Sequence, residues 1–170
     1  LIEDEKGALF VHGRGLTPGV SLHFAECCSP MPGDRIVGVL QPGRGVQVHV
    51  IDCERLAAWE DEASLANWID LKWTPEADTR GVSVGRIHAT VRNEPGVLAE
   101  IAGVVGDARG NITDVKTLTR TRDFFEMAFD VEVFDARHLN NIVSALKTSD
   151  RVVSAERARL SEDPALKETA

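Results

Sequence analysis

The amino-acid sequence predicts an α+β protein of two small domains, the second with the element order β-α-β-β-α-β. Three observations support this prediction. Short apolar runs separated by glycine turns fill the first half, and alternating strands with two amphipathic helices fill the second. A charged segment with Pro75, residues 73–80, separates the halves. We place the domains at residues 7–74 and 80–160.

Composition excludes several classes of protein. The 170 residues are 43% hydrophobic and 27% charged, as in a globular protein, and no apolar run approaches the roughly 20 residues of a membrane span. The net charge of −8 offers no basic excess for nonspecific nucleic-acid binding. Three cysteines are too few for a disulfide framework, which favours the cytoplasm. Because Leu1 is not a methionine, we expect a piece of a longer polypeptide.

The first domain is predicted to consist of short strands and one short helix. The segment Cys27–Asp34 contains two prolines and a glycine, so it is expected to be a loop. The helix is expected at Glu54–Glu62. The strands are expected at Ala8–His12, Val20–Phe24, Arg35–Leu40, Gly45–Val50 and Trp68–Lys72.

The second domain begins with a strand in which Ile87, Ala89 and Val91 alternate with polar residues. Asn93-Glu94-Pro95-Gly96 then leads into a helix, with Pro95 at its entry and Gly110 as its expected stop. The apolar positions of this helix are three and four residues apart, which predicts one buried face. They are Val97, Leu98, Ile101, Val104, Val105 and Ala108.

A hairpin, a second helix and a last strand complete the second domain. The hairpin is expected at Ile112–Thr121 and Phe124–Phe134, and Asp135 is expected to cap the helix that follows. Val152–Arg159 is the final strand. This order predicts the ferredoxin-like arrangement, with two helices on one face of a four-stranded antiparallel sheet.

The turn at Asn93–Leu98 is the clearest candidate for a ligand site. The amides of Gly96, Val97 and Leu98 lie in the first helical turn, where they lack intrahelical acceptors and where the helix dipole favours an anion. Asn93 and Asn111 add donors and acceptors suited to an α-amino and α-carboxyl pair. A structural alternative stays open: Asn93 caps the helix and Gly96 permits close packing.

This turn, followed by Asn111-Ile112 after one helix, resembles the signature of ACT domains, which are amino-acid-sensing modules of metabolic enzymes. The resemblance implies a ligand between the first turn and the strand of a neighbouring protomer, and hence a homodimer. The implied contacts are Asn93, Gly96, Val97, Leu98, Asn111 and Ile112. Val91 stands where the family often has a polar group, which implies a branched-chain ligand: valine, leucine or isoleucine.

The first domain holds a second candidate site, formed by Cys27, Cys28, His49 and Cys53. Thiolates and an imidazole are preferred ligands of tetrahedral zinc, and the elements around them are able to converge. Adjacent cysteines strain a shared metal site, however, so three buried thiols and a core histidine are the alternative.

The residues around this cluster resemble the conserved-cysteine, zinc-finger-like domain of RelA/SpoT-type proteins, the stringent-response enzymes that make and degrade (p)ppGpp. The matching segments are Cys27–Asp34, Ile36–Gly38 and Gly43–Val46, with His49 and Cys53. In that family an ACT domain follows directly. The resemblance implies a bacterial cytoplasmic regulatory region, with synthetase and hydrolase domains upstream and no catalytic residue in this chain.

Two functions follow from these resemblances. The first is an amino-acid sensor that controls the upstream catalytic domains allosterically. The second is a module for ribosome docking and dimerisation without a small-molecule ligand, in which arginines and tryptophans would contact ribosomal RNA. For the tryptophans we favour the alternative that they pack in the core or between the domains. The residues of suitable type are Arg14, Arg35, Arg44, Trp59, Trp68 and Trp73. A thiol enzyme using Cys27 or Cys28 lacks a supporting oxyanion hole.

Overall fold

The structure, a computed structural model, describes residues 10–14, 16, 19–57, 67–75, 77 and 81–158. Its internal contacts divide these residues into two compact units, one up to Gly81 and one from Val82. In this part of the chain no helix has the length and apolar character needed to cross a membrane. The two units are described in turn.

The first unit is a five-stranded sheet with the strand order β1-β5-β3-β4-β2. Every neighbouring pair is antiparallel except β2 and β4, which are parallel. One short helix, α1, spans Glu54–Ala57. The strands are β1 Val11–Gly13, β2 Leu22–Phe24, β3 Ile36–Gln41, β4 Gly45–Val50 and β5 Trp68–Trp73.

The predicted strands of the first unit are confirmed within one to three residues at their ends. Part of the strand expected from Ala8 and the second half of the helix expected to Glu62 lie outside the described residues. The turn between β3 and β4 depends on Gly45, which has a φ of +92°. A Cβ atom there would lie 2.3 Å from the carbonyl oxygen of Ser21, so only glycine fits.

The sheet of the first unit has apolar clusters on both faces, because β3 directs Ile36 to one face and Val37 and Val39 to the other. One cluster consists of Val11, Leu22, Ile36, Val46, Val48 and Leu71. The other consists of Ala25, Cys27, Cys28, Val37, Val39, Cys53 and Leu56. All three cysteines therefore belong to one apolar face.

The second unit is a four-stranded antiparallel sheet with the order β7-β8-β6-β9. The predicted β-α-β-β-α-β order and ferredoxin-like arrangement are confirmed. The elements are β6 Ser83–Arg92, α2 Val97–Asp107, β7 Asn111–Arg120, β8 Phe124–Val133, α3 Ala136–Lys147 and β9 Val152–Ala158.

The core of the second unit lies between the two helices and one face of the sheet. Ile87, Ala89 and Val91 of β6 are buried, as are the alternate residues from Phe125 to Val133 in β8. One face of α3, formed by Leu139, Ile142, Val143 and Leu146, is also buried, and the Asp135 carboxylate caps this helix by accepting from the His138 amide at 2.7 Å.

Helix α2 differs from the prediction at both ends. Leu98, expected to face inward, is 52% exposed. At the other end, Arg109 and not Gly110 has the left-handed backbone, with a φ of +65°. Gly110 is required for a different reason: a Cβ atom there would lie 2.7 to 2.9 Å from side-chain carbons of Ile142, Val131 and Val105. It allows the chain to pass closely beneath α3.

The Gly110→Ala variant is expected to lower the free energy of unfolding by about 1–3 kcal/mol, because the added methyl group overpacks this contact. Gly103→Ala is the control: Gly103 lies within α2, and nothing lies within 4 Å of its Cβ position. That change is expected to stabilise the fold by about 0.5–1 kcal/mol. Urea unfolding followed by circular dichroism measures both, and equal effects would contradict the packing account.

Candidate functional sites

The four residues of the predicted metal cluster come together in the first unit. Cys27 and Cys28 lie in the turn after β2, His49 lies in β4, and Cys53 directly precedes α1. All four are buried, with His49 only 1% exposed. The parallel pairing of β2 with β4 brings the end of one strand beside His49 of the other.

The distances within this cluster fit a tetrahedral metal site. The Cys27 Sγ lies 3.5 Å from His49 Nδ1 and 3.6 Å from Cys53 Sγ, and the Cys28 Sγ lies 3.7 Å from the same His49 nitrogen. All four donor atoms lie within 4.8 Å of one another. A tetrahedral zinc ion with Zn–S near 2.3 Å and Zn–N near 2.0 Å separates its ligands by roughly 3.5–3.8 Å. The adjacent cysteines thus both reach the cluster.

Burial controls the protonation of this cluster. Desolvation raises the pKa of the Cys27 and Cys28 thiols and lowers that of the His49 imidazole. The positive charge of Arg55 on α1 opposes the shift at Cys27 and adds to the shift at His49. Neutral Cys27 and Cys28 thiols and a neutral His49 imidazole are therefore favoured in the metal-free protein, and a cation placed among them would favour the two thiolates.

The predicted anion-binding turn forms the entry to α2 in the second unit. Gly96 caps the helix with a left-handed φ of +85°, and its carbonyl accepts the Glu100 amide. The Val97 amide donates to the Glu94 carbonyl at 3.3 Å, so one of the three expected amides already has a partner in the turn.

Asn93 binds the neighbouring hairpin rather than capping the helix. Its Nδ2 donates to the Thr121 carbonyl at 2.7 Å, and its Oδ1 accepts from the Arg120 guanidinium at 3.4 Å. Its backbone amide donates to the Asp123 carbonyl at 3.0 Å. These contacts join the end of β6 to the tip of the β7–β8 hairpin.

Asn111 lies at the opposite end of the sheet from Asn93. In the sheet, Asn111 lies opposite Glu132 of β8, and Glu132 in turn lies opposite Val84 at the beginning of β6. The Asn111 Nδ2 also donates to the Glu132 carboxylate at 2.8 Å. Nine residues of strand from Val84 to Asn93 correspond to roughly 30 Å. One chain therefore does not bring Asn93 together with Asn111 and Ile112.

Val91 and Leu98, the two apolar residues that bear on selectivity for an apolar ligand, differ in their exposure to solvent. Val91 is 0% exposed beneath α2, so packing explains its apolar character and it presents no surface to a ligand of its own chain. Leu98, in contrast, is exposed in the first turn of α2, next to the Gly96 cap. It is the apolar side chain of this turn that a ligand is able to contact.

The structure places two arginines beside the turn that sequence reasoning did not single out. Arg151 lies 3.6 Å from Glu94 and 3.4 Å from Glu100, and it donates to the Pro95 carbonyl at 3.3 Å. Arg120 contacts Asn93 from the other side. Neither arginine belongs to a local sequence motif, because each lies more than 25 residues along the chain from the residue of the turn that it contacts and is brought there by the pairing of strands.

The residues suggested for RNA contact have mixed positions. Trp73 stacks on Phe24 at 5.8 Å and donates to the Asp34 carbonyl at 2.9 Å, and Trp68 packs against the cysteine-containing cluster, so both serve the fold. Trp59 lies outside the described residues. The arginines Arg14, Arg35 and Arg44 are all exposed.

Arg44 also lines a polar surface cavity of about 450 Å³ at the tip of the β3–β4 hairpin, together with His23, Gln41, Gly43 and Gln47. Within it the Gln41 and Gln47 side chains are hydrogen-bonded to each other at 2.8 Å. The cavity therefore combines a guanidinium, an imidazole and two amides.

Comparison with known families matches both units. A model described as the RelA/SpoT RIS domain matches residues 11–74, and a model of the ACT domain matches residues 84–157. A protein named GTP pyrophosphokinase rsh from Brucella ovis is 40% identical over 144 residues, which are 85% of this chain and 19% of that protein.

The GTP pyrophosphokinase of Escherichia coli K12 is 28% identical over 154 residues, 90% of this chain and 20% of its own length. The chain thus spans about a fifth of the length of these curated relatives. Among solved structures, the ACT domain from the GTP pyrophosphokinase of Chlorobium tepidum covers 45% of this chain and 99% of its own, with 18% identity and a TM-score of 0.40.

Proposed function

We propose that this chain, which carries the RIS and ACT domains of RelA/SpoT-type proteins, is the amino-acid-sensing part of a longer GTP pyrophosphokinase. Its parent would make and degrade (p)ppGpp in the bacterial cytoplasm. In this proposal an amino acid binds at the α2 turn of a dimer and shifts the upstream domains between synthesis and hydrolysis. The ligand has this effect only if it prefers one arrangement of the parent over another.

The observation that carries the proposal is the placement of the two asparagines near opposite ends of the exposed edge strand β7: Asn111 begins it, and Asn93, which follows β6, binds Thr121 just beyond it. Most residues of β7 are exposed, including Val115 at 51%, and among the described strands β7 pairs only with β8. An unpaired edge favours pairing with another chain. If two copies join antiparallel through β7, the α2 turn of one copy meets Asn111 and Ile112 of its partner.

A branched-chain amino acid fits this dimeric site. The first-turn amides and the helix dipole favour its carboxylate. Leu98 of one chain supplies exposed apolar surface for an aliphatic side chain, and the half-buried Ile112 at the start of the partner's β7 adds to it. We therefore propose valine, leucine or isoleucine as the ligand and a homodimer as the binding form.

Calorimetric titration with all twenty amino acids is expected to show binding confined to these three, and Gly96→Asp is expected to abolish it. The added carboxylate repels the ligand's carboxylate from the first-turn amides. Because φ is +85° at this position, any side chain adds strain, so Gly96→Asn is the control: asparagine tolerates this conformation and is neutral. Unchanged affinity in Gly96→Asp, or equal loss in both variants, would contradict the assignment.

We further propose that Cys27, Cys28, His49 and Cys53 hold a structural zinc ion. Three of the separations between their donor atoms are 3.5 to 3.7 Å and all are within 4.8 Å, which supports four-coordinate binding, as does the chemistry of three thiols and one imidazole. A closed, fully buried ligand set leaves no open position for catalysis, so the ion would connect the β2 turn, β4 and α1.

The purified chain is expected to contain one zinc ion by elemental analysis, and Cys53→Ser and His49→Asn are expected to lose it. His23→Asn is the matched control, since His23 is an exposed histidine of the same unit. Chelation is also expected to lower the urea midpoint measured by tryptophan fluorescence, which reports only on this unit because all three tryptophans lie within residues 59–73. A metal-free wild type with full stability would contradict the proposal.

Ribosome docking is the second candidate function, and the polar cavity around Arg44 favours it. A guanidinium and an imidazole suit phosphate oxygens, and paired amides suit a base edge in single-stranded RNA. This function is compatible with amino-acid sensing, since the cavity and the α2 turn lie in different units.

Arg44→Ala is expected to reduce the fraction of the chain that sediments with ribosomes, because it removes the cavity's guanidinium. Lys72→Ala is the control, since Lys72 is an exposed cation of the same unit that does not line the cavity. Equal sedimentation of both variants and wild type would exclude the cavity as a docking site.

A further inference from the structure

We infer that Arg120, at the end of β7, binds the carboxylate of the amino-acid ligand and makes the site selective for a free carboxylate. This inference rests on the proposed sensing function. It goes beyond that function because it adds a positive charge to a site that otherwise consists of backbone amides, asparagines and apolar side chains.

Arg120 is held at the mouth of the α2 turn by two contacts. Its Nη2 donates to Asn93 Oδ1 at 3.4 Å, and its guanidinium carbon lies 5.6 Å from the centre of the Phe125 ring, within the range of a cation–π interaction. Phe125 is buried on the helix-facing side of β8, so this contact keeps the guanidinium on the side of the sheet where α2 begins.

The two arginines beside the turn differ in how their charge is compensated. Arg151 lies within 4 Å of the carboxylates of both Glu94 and Glu100. Within the described part of the chain, Arg120 has no acidic partner; its contacts are a neutral amide and an aromatic ring. Arg120 is thus the guanidinium at this turn whose charge is available to an anion.

The position of Arg120 also fits the two-chain site. Asn93 Nδ2 donates to the Thr121 carbonyl, and Asn93 Oδ1 accepts from one nitrogen of the Arg120 guanidinium. The remaining donors of the guanidinium fork suit a carboxylate in a bidentate geometry. In an antiparallel β7 pair, the end of β7 that carries Arg120 lies beside Asn111 of the partner.

The test is calorimetric titration of the full chain with L-valine and with L-valinamide, which keeps the amine and side chain but lacks the carboxylate. Arg120→Gln is expected to weaken valine binding by about 10- to 100-fold, the usual contribution of a charged hydrogen bond, and to leave valinamide binding unchanged. Arg120→Lys is expected to recover part of the loss, since it keeps the charge without the fork.

Arg122→Gln is the matched control, because Arg122 is an exposed arginine of the same hairpin. It is expected to leave both ligands unaffected. An unchanged preference for valine over valinamide in Arg120→Gln overturns the inference, and so does an equal loss of both ligands, which would mean that Arg120 only positions Asn93. Wild-type chain that binds none of the branched-chain amino acids overturns the sensing function itself, and with it the inference.

A second measurement does not depend on the affinity of valinamide. The Nε–Hε resonance of Arg120 in NMR spectra is expected to shift on addition of valine, whereas that of Arg122 is not. An Arg120 resonance that stays in place at saturating valine overturns the inference. The sensing function would still stand in that case if Gly96→Asp abolished valine binding.

Discussion

Antiparallel pairing within the second unit determines where each part of the proposed ligand site lies. β6 ends at the α2 turn, and β7, on the far side of β8, runs in the same direction as β6. The start of β7 therefore lies beside the start of β6, with Asn111 at one end of the sheet and Asn93 at the other. A site that needs both asparagines requires two chains, and in this account ligand binding requires the dimer.

The cysteine-containing cluster imposes a comparable constraint on the first unit. Its sheet is small and has apolar residues on both faces, with only one short helix described beside it. Three thiols and an imidazole occupy one of these faces and join the β2 turn, β4 and the start of α1. A small domain with a limited core often depends on such a metal-binding set for its stability. The proposed sensing site and the proposed metal site thus belong to separate units of the chain.

Local sequence patterns predicted most of the fold. Strand alternation, helical periodicity and the Asp135 cap were sufficient for the second unit, because each depends on residues close together in the chain. Gly110 was expected as the stop of α2, which ends at Asp107 with the left-handed conformation at Arg109; the contacts that require Gly110 are with Ile142 and Val131, which are distant in sequence. Leu98 was wrongly placed in the core for a similar reason, since helical spacing does not show where the sheet ends.

Prediction of the candidate sites was limited in the same way, by contacts between residues that are distant in the sequence. The sequence was sufficient to name the four cysteine and histidine residues, but their approach to within 4.8 Å depends on the parallel β2–β4 pair, which no local pattern indicates. Arg120 and Arg151 escaped prediction because each reaches the turn from another strand or loop. The separation of Asn93 from Asn111 also required the observed strand order, since their spacing in the sequence does not determine it.

The central claim, that each site is completed by two chains, is tested most directly by mixing two variants that are each unable to bind. Gly96→Asp damages the turn and Asn111→Ala damages the partner's contribution, so neither homodimer is expected to bind valine. In the mixed dimer, one site combines the intact turn of the Asn111→Ala chain with the intact Asn111 of the Gly96→Asp chain. The account predicts that calorimetry of the re-associated mixture recovers one site per mixed dimer, with wild-type affinity. A mixture that binds no valine, under conditions where wild type binds, would contradict it.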